Sequence, residues 1–109
     1  METSALPDPI EAYFRAQNAH DIDAMSATFD ENAIVNDEGQ EYRGLSAIRA
    51  WTKEVTHKYH SRVEPQGVAY TNKQVVVSGL VSGNFPGSPI LLVHTFTLSD
   101  TSIMHLVIE

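Results

Sequence analysis

The spacing of apolar residues changes once along this chain, and no other feature limits the possible folds so strongly. Up to about residue 58, apolar side chains recur three and four residues apart, which is typical of amphipathic helices. From Ser61 onward they alternate with other residues or form β-branched runs, which is typical of strands. The 109 residues therefore predict one α+β domain, in which a cone-shaped, curved antiparallel sheet wraps around three N-terminal helices.

Local signals mark the first two helices. We expect Asp8 to cap the first helix, with Pro9 at the first helical position and Glu11 completing a capping box. Asp21 is expected to cap the second helix, which we predict to end near Asp30. The buried stripes of these two helices are predicted to contain Ile10, Tyr13, Phe14, Gln17, Ile22, Met25 and Phe29.

A short strand, a hairpin and a third helix are predicted next. Residues 33–37 form a buried strand that ends at Asp37, and the chain returns through Tyr42. Gly44 opens the third helix. The buried stripe of this helix is predicted to contain Leu45, Ile48, Trp51, Thr52 and Val55.

The second half of the chain predicts strands with one unusual apolar surface. Pro65 cannot donate to a strand ladder and Gly67 favours a bulge, so we expect a bent or edge strand there. The segment "ILLVHTFTL" places apolar residues on both of its faces, with Leu91 and Val93 opposite Leu92 and Phe96. A sheet covered by helices on one side should have a polar outer face, so we predict a homodimer formed through the sheet.

Composition excludes several classes of partner. The formal net charge of −7 repels nucleic acid and anionic lipid, so we expect neither as a partner. The chain has no cysteine, which excludes disulfides and thiolate chemistry and favours a reducing, cytoplasmic location. The N-terminal stretch "METSALPDPIE" has no basic start and no apolar run, so we do not expect a secretory signal.

Asp37 is the residue whose position needs explanation. An acid followed by Glu-Gly is ordinary hairpin chemistry, in which the carboxylate bonds its own backbone. The same carboxylate at the mouth of a curved sheet could instead face a pocket, where an apolar surround would raise its pKa. Both interpretations remain open at this point.

Two stretches carry a resemblance to a known family. "YFRAQNAHDIDAMSATFDENAIVNDEG", followed by "YRGLSAIRAW", resembles the N-terminal half of the nuclear transport factor 2-like superfamily, especially its SnoaL-like members. "VSGLVSGNFPGSPILLVHTFTLSDTSIMHLVIE" is similar to the closing strands of the same family. The resemblance covers about residues 8–108 and implies a cone-shaped fold around a cavity. It specifies no activity, because this fold hosts isomerases, cyclases, other enzymes and proteins without catalysis.

The family's steroid Δ-isomerases, which have the closest match in site spacing, supply a candidate site. The isomerase pocket combines a general-base aspartate with an oxyanion hole of one tyrosine and one protonated aspartate. The resemblance places Tyr13 on its first-helix tyrosine and Asp37 on its base. The position of the protonated aspartate falls at or near Leu92, which cannot donate a hydrogen bond. His94 lies one step further along the same face and is our candidate for the missing donor.

Two functions follow from these residues. In the first, the protein is a cofactor-independent isomerase or cyclase in which Asp37 removes a proton next to a carbonyl and Tyr13, with His94, stabilises the enolate. In the second, the same domain binds a small apolar ligand or dimerises without catalysis. Neither function needs a metal, and His57 and His60 lack an evident third ligand. The predicted pocket walls are Phe14, Phe29, Val35, Trp51, Leu92 and Phe96.

Overall fold

Three helices and six strands build the domain in the computed structural model, which describes residues 6–109. The first five residues of the N-terminal stretch considered above lie outside this range. The helices are α1 (Asp8–Asn18), α2 (Ile22–Ala27) and α3 (Gly44–Tyr59). The strands are β1 (Phe29–Asp37), β2 (Gln40–Arg43), β3 (Arg62–Tyr70), β4 (Gln74–Ser82), β5 (Ile90–Leu98) and β6 (Ile103–Ile108).

One open sheet contains all six strands, in the order β2-β1-β6-β5-β4-β3. Neighbouring strands are antiparallel except β1 and β6, which run parallel and pair Asp37 with Ile108. On the β1–β6 seam, Nε2 of His105 donates a 2.6 Å hydrogen bond to Oδ1 of Asn36. The helices pack on one face of this curved sheet, so the predicted α+β architecture is confirmed.

The first two helices begin in different ways. Pro7, and not Asp8, occupies the N-cap position of α1, and no side chain caps this helix. The amides of Ile10 and Glu11 both donate to the Pro7 carbonyl at 3.0 Å, so the predicted capping box does not form. Asp21 caps α2 as predicted, because its Oδ1 accepts a 3.0 Å hydrogen bond from the Ala24 amide.

The second helix ends earlier than the sequence predicts. It stops at Ala27, whereas its predicted end was near Asp30. The Thr28 carbonyl accepts a 2.9 Å hydrogen bond from the Ile103 amide, and Phe29 then pairs with Ile103. This pairing with a distant strand draws the chain into an extended conformation, so Phe29 belongs to β1 and not to a helical stripe.

The third helix starts and packs largely as predicted. Gly44 has a φ of +84°, a left-handed conformation that glycine adopts without strain. Ile48, Trp51 and Thr52 are buried. Leu45 is 39 % exposed and so lies outside the buried stripe to which we assigned it. Of the helices within residues 6–109, none has both the length and the apolar character required to cross a bilayer.

The predicted bend is present in β3. This strand lies at the edge of the sheet, and its register with β4 shifts between Pro65 and Gly67. The Asn18 side chain covers part of the free edge, since its Oδ1 accepts from the Val63 amide at 2.7 Å and its Nδ2 donates to the Val63 carbonyl at 3.0 Å. These bonds fix the end of α1 against the start of β3.

The two faces of β5 differ as the alternation predicts. His94 and Phe96 are buried on the face that carries the helices. Leu91 and Val93 lie on the opposite face and are 56 % and 37 % exposed in the single chain. An apolar outer surface is therefore present, and the homodimer that would cover it stays a prediction.

Candidate functional site

A cavity of about 340 Å³ lies between the helices and the covered face of the sheet. Every helix contributes to its lining, together with residues from the strands and the loops between them. The lining residues are Tyr13, Gln17, His20, Met25, Asp37, Glu38, Trp51, Val55, Thr56, Tyr59, Ser61, Val81, Phe85, Ile90, Leu92, His94, Ile108 and Glu109. Most of the cavity surface is apolar.

Asp37 is both a hairpin residue and a cavity residue. It pairs with Gln40 at the end of β1, and the turn between them is Glu38-Gly39, with φ values of 54° and 77°. Two positive φ values suit the twist of a tight hairpin. Side chains alternate along β1, so Asp37 points to the same side as the buried Val35. The hairpin therefore delivers the carboxylate to the cavity, and the two interpretations of Asp37 are compatible.

The environment of the Asp37 carboxylate opposes its ionisation. Burial raises its pKa above the ordinary value, and the nearby charge of Glu38 acts in the same direction. A 3.0 Å hydrogen bond from Nε1 of Trp51 to Oδ2 of Asp37 partly offsets these effects, because it stabilises the ionised form. The result is an oriented carboxylate with a raised pKa in a largely apolar cavity.

Tyr13 presents a hydroxyl to the same cavity. Its ring is 2 % exposed and meets Phe14, Phe29 and Phe96 edge-on at centroid distances of 5.5, 5.7 and 5.9 Å. Burial, and secondarily the charge of Asp37, raises the pKa of Tyr13, so its hydroxyl keeps its proton. No described residue hydrogen bonds to this hydroxyl, which leaves its donor available.

His94 lies in the floor of the cavity as a neutral ring. It stacks on Phe96 at 6.3 Å and meets Phe14 edge-on at 5.4 Å. Burial lowers the pKa of His94 to about 4, against weaker opposing effects of the Leu92 and Val77 backbone. Among the described residues, its Nδ1 has no hydrogen-bond partner. The ring is therefore uncharged at neutral pH.

Two of the six predicted wall residues line the cavity, and four do not. Trp51 and Leu92 line it. Phe14, Phe29, Val35 and Phe96 are instead buried in the core. Phe14 and Phe96 pack between the rings of Tyr13 and His94, so they support these residues from behind. Spacing placed all six on buried faces, but burial alone does not distinguish the core from a cavity surface.

Several lining residues were not among our candidates. Val55 and Tyr59 follow Trp51 at helical spacing, and Ile90 precedes Leu92 on the same face of β5, so pattern alone could have identified them. Ser61 and Phe85 gave no such signal, because loops bring them to the cavity. The Tyr59 hydroxyl donates a 3.1 Å hydrogen bond to Oε2 of Glu38, which joins the end of α3 to the hairpin.

Two histidines, His57 and His60, lie at the end of α3. His57 is exposed, and His60 has a left-handed φ of 47° and meets His20 edge-on at 5.4 Å. Within residues 6–109, no three His, Cys, Asp or Glu side chains are grouped so that they could hold a metal ion.

A fold of this kind is shared with known proteins. The family model of the SnoaL-like domain matches residues 10–106. The chain therefore belongs to the SnoaL-like domain family, within the nuclear transport factor 2-like superfamily that its sequence resembles. A search of curated proteins gives no match.

Solved structures agree with this assignment. A proposed polyketide cyclase from Sinorhizobium meliloti is 36% identical, with a TM-score of 0.94 over 100% of both chains. SalBIII, an epoxide hydrolase/cyclase-like enzyme in pyran ring formation of the polyether salinomycin, is 24% identical, with a TM-score of 0.80 over 93% of this chain and 86% of its own. A Catenulispora acidiphila protein with a ketosteroid isomerase-like fold, crystallised with trimethylamine, is 14% identical. Its TM-score is 0.83, over 96% of this chain and 86% of its own. The last two likenesses show the fold alone.

Proposed function

We propose that this protein is a cofactor-independent isomerase or cyclase that removes a proton next to a carbonyl group, with Asp37 as the general base. One observation carries the proposal: a carboxylate with a raised pKa shares an apolar cavity with the Tyr13 hydroxyl, which has no hydrogen-bond partner among residues 6–109. A base is most effective when its pKa approaches the working pH, and burial moves Asp37 in that direction.

The proton transfer uses these two side chains in complementary roles. Asp37 takes the proton from the carbon next to the carbonyl, and the electron pair of that C–H bond moves into the enolate. The Tyr13 hydroxyl donates a hydrogen bond to the oxygen on which negative charge develops. Asp37 then returns the proton to another carbon of the conjugated enolate in an isomerisation. In a cyclisation the enolate carbon attacks a second carbonyl, whose π electrons move onto its oxygen, and this alkoxide takes the proton back from Asp37. The Trp51 hydrogen bond holds the carboxylate in one orientation throughout.

His94 is proposed as the second donor to the enolate oxygen. A ring with a pKa near 4 is neutral at pH 7 and has one N–H group to donate. It occupies the region where Leu92 replaces the protonated aspartate that the resemblance leads one to expect. The role of His94 is secondary in this proposal, because its Nδ1 is buried and the ring is held between aromatic neighbours.

The substrate we propose is a compact, largely apolar ketone. No lysine or arginine is present in the lining, whereas Asp37, Glu38 and Glu109 are, so the cavity offers an anionic substrate no opposite charge. The Sinorhizobium meliloti relative is itself a proposed polyketide cyclase, which supports an aromatic or polyketide-like substrate here. A volume of about 340 Å³ lies at the lower end of the range for small-molecule sites.

We also propose that two copies associate through the outer face of the sheet. Leu91 and Val93 are the observation that favours this assembly, since both are exposed apolar residues at the middle of the sheet. Burying them against a second copy removes apolar surface from water. A non-catalytic ligand-binding or dimerising domain is the alternative function, and it needs this surface and the cavity but no base.

Substitution of the proposed base tests the function. The probe is β-tetralone, a bicyclic ketone, and the measurement is the exchange of its acidic carbon-bound protons for deuterium, followed by proton NMR. The wild-type protein should accelerate exchange, and Asp37→Asn should reduce the rate by a factor of about 10² or more with little change in thermal stability. Asp100→Asn, in the exposed turn between β5 and β6, is the matched control and should retain the wild-type rate. Binding without accelerated exchange would favour the non-catalytic alternative.

A further inference from the structure

The cavity has a second polar region, near strand β3 and separated from Asp37 by the intervening strands of the sheet. Gln17, His20 and Ser61 line the cavity there. Asp37 ends β1 and Ser61 immediately precedes β3, so strands β6, β5 and β4 lie between them in the sheet. The lining from these three strands includes Ile108, Ile90, Leu92 and Val81, together with the neutral ring of His94. The cavity therefore has polar side chains at both ends and mainly apolar ones between them.

The hydrogen bonds of this second region are incomplete. Nε2 of Gln17 donates a 3.0 Å hydrogen bond to Oγ of Ser61. Oε1 of Gln17 is buried and has no partner among residues 6–109. No acceptor is present in the same part of the chain for the Ser61 hydroxyl proton. A buried acceptor without a donor is unfavourable, and native proteins seldom retain one without a reason.

The pair is held in place by bonds that need no ligand. Nε2 of His20 donates a 3.0 Å hydrogen bond to the Ser61 carbonyl, and the Asn18 amide holds the Val63 backbone two residues later. His20 has a left-handed φ of 56°, a conformation that costs energy for a residue with a side chain. The end of α1 and the start of β3 are therefore held together before any ligand enters, which keeps Gln17 and Ser61 close to each other.

We propose that Gln17 and Ser61 form a subsite that recognises a hydroxyl group of the ligand. A hydroxyl both donates and accepts, so it can donate to Oε1 of Gln17 while it accepts from the Ser61 hydroxyl. The terminal torsion of a glutamine is broad, which allows the amide to turn Oε1 toward the cavity. If the amide is rotated by half a turn, its N–H donates to the ligand hydroxyl and Ser61 accepts. A carbonyl or an ether can accept a hydrogen bond but cannot donate one. It therefore forms only one of the two hydrogen bonds in either arrangement.

This inference rests on the proposed function and narrows its substrate class. A ketone that reacts beside Asp37 and Tyr13 would carry a hydroxyl on the part of its skeleton that lies furthest from the reacting carbonyl. The apolar residues between the two ends would contact the carbon skeleton. The substrate is then a hydroxylated ketone, and the hydroxyl sets which end of the molecule faces the base.

Matched ligands test the hydroxyl preference. The probes are β-tetralone and its ring-hydroxy and ring-methoxy derivatives, with the substituent at each position of the aromatic ring, and the measurement is affinity by isothermal titration calorimetry. For at least one position, the hydroxy compound should bind about fivefold to tenfold more tightly than the methoxy compound. Gln17→Leu and Ser61→Ala should each bring this ratio close to one.

Thr56→Val is the matched control for these variants. Thr56 also lines the cavity, but its hydroxyl bonds Sδ of Met25 at 4.0 Å, away from the Gln17–Ser61 pair. This variant should keep the wild-type ratio. If the ratio is near one in the wild-type protein, or survives both Gln17→Leu and Ser61→Ala, the subsite does not exist and the pair only braces α1 against β3.

A fragment titration separates this inference from the proposed chemistry, because its probes have no carbonyl. The probes are para-cresol and para-methylanisole, and the readout is the NMR signal of the Gln17 side-chain amide. The cresol should shift this signal and the anisole should shift it much less; equal shifts would contradict the subsite. If deuterium exchange is absent but these shifts differ, the base assignment fails and the hydroxyl subsite stands.

Discussion

Nε1 of Trp51 lies 3.0 Å from Oδ2 of Asp37 and donates a hydrogen bond to it. This contact joins the middle of α3 to the end of β1. It lowers the pKa of Asp37, whereas burial raises it. The balance matters for catalysis, because an aspartate that remained protonated could not act as a base. The indole keeps a buried carboxylate ionisable.

Replacing the indole while retaining an aromatic ring tests this balance. Trp51→Phe removes the N–H donor, so the pKa of Asp37 should rise further above its ordinary value. The rate of proton exchange should then rise to its maximum at a higher pH. NMR titration of the Asp37 carboxyl carbon measures the shift, and Tyr42→Phe, which alters a ring packed on Trp51 at 6.1 Å, is the control. A lower pKa would mean that water admitted beside the smaller ring outweighs the lost bond.

Trp51 should also contribute strongly to stability. It is 2 % exposed and contacts the rings of Phe29 and Tyr42 at 6.5 and 6.1 Å. Trp51→Ala should lower the free energy of unfolding by about 3–5 kcal/mol, since it removes these contacts and leaves a void. Urea denaturation measures the loss. A cost below about 1 kcal/mol would show that this side chain is not packed as described.

The buried histidine predicts a dependence of stability on pH. Because the pKa of His94 is about 4 in the folded protein and near 6.5 when exposed, the unfolded chain binds the proton more tightly. The contribution of neutral His94 to the free energy of unfolding is fully present above pH 6.5. This contribution declines as the pH falls toward 4, by about 3 kcal/mol in total. Denaturation of wild type and His94→Gln across this range should show a weaker pH dependence in the variant. His57→Gln, at an exposed position, should have the same pH dependence of stability as the wild type. If the free energy of unfolding changed with pH equally in all three proteins, the prediction would be contradicted.

A charge on the outer face of the sheet should separate the two copies. Val93→Asp should give a monomer in sedimentation velocity, where the wild-type protein gives a dimer, because the carboxylate would be buried without a partner. Val68→Asp is the matched control, since Val68 is exposed to 41 % against 37 % for Val93 but lies on the helix-covered side of β3. A wild-type monomer, or a Val93→Asp dimer, would rule out association through this surface.

Local sequence patterns predicted several features that depend on neighbouring residues. Asp21 caps α2, Gly44 opens α3 and Pro65-x-Gly67 bends β3, because backbone sterics and nearby hydrogen bonds determine each of these features. The cavity position of Asp37 also follows from alternation along β1 once the strand is recognised. Helical spacing likewise places Tyr13 on the inner face of α1.

Features that depend on distant segments could not be predicted in the same way. The end of α2 is determined by pairing of Phe29 with Ile103, and nothing near Phe29 signals that partner. Ser61 gained a place in the cavity through its bond to Gln17, which is 44 positions away in sequence. The division of aromatic residues between core and cavity depends on the curvature of the sheet, which spacing does not report.

The parallel seam between β1 and β6 ties the assembly of the site to the completion of the fold. Asp37 pairs with Gln40 through a local hairpin, but its other neighbour, Ile108, follows every other described element of secondary structure. Until β6 inserts between β5 and β1, the hairpin has no sheet to join and the carboxylate has no cavity to face. A partly folded chain would then have the residues of the proposed site without the cavity around them, so the proposed proton exchange should recover only when β6 has docked.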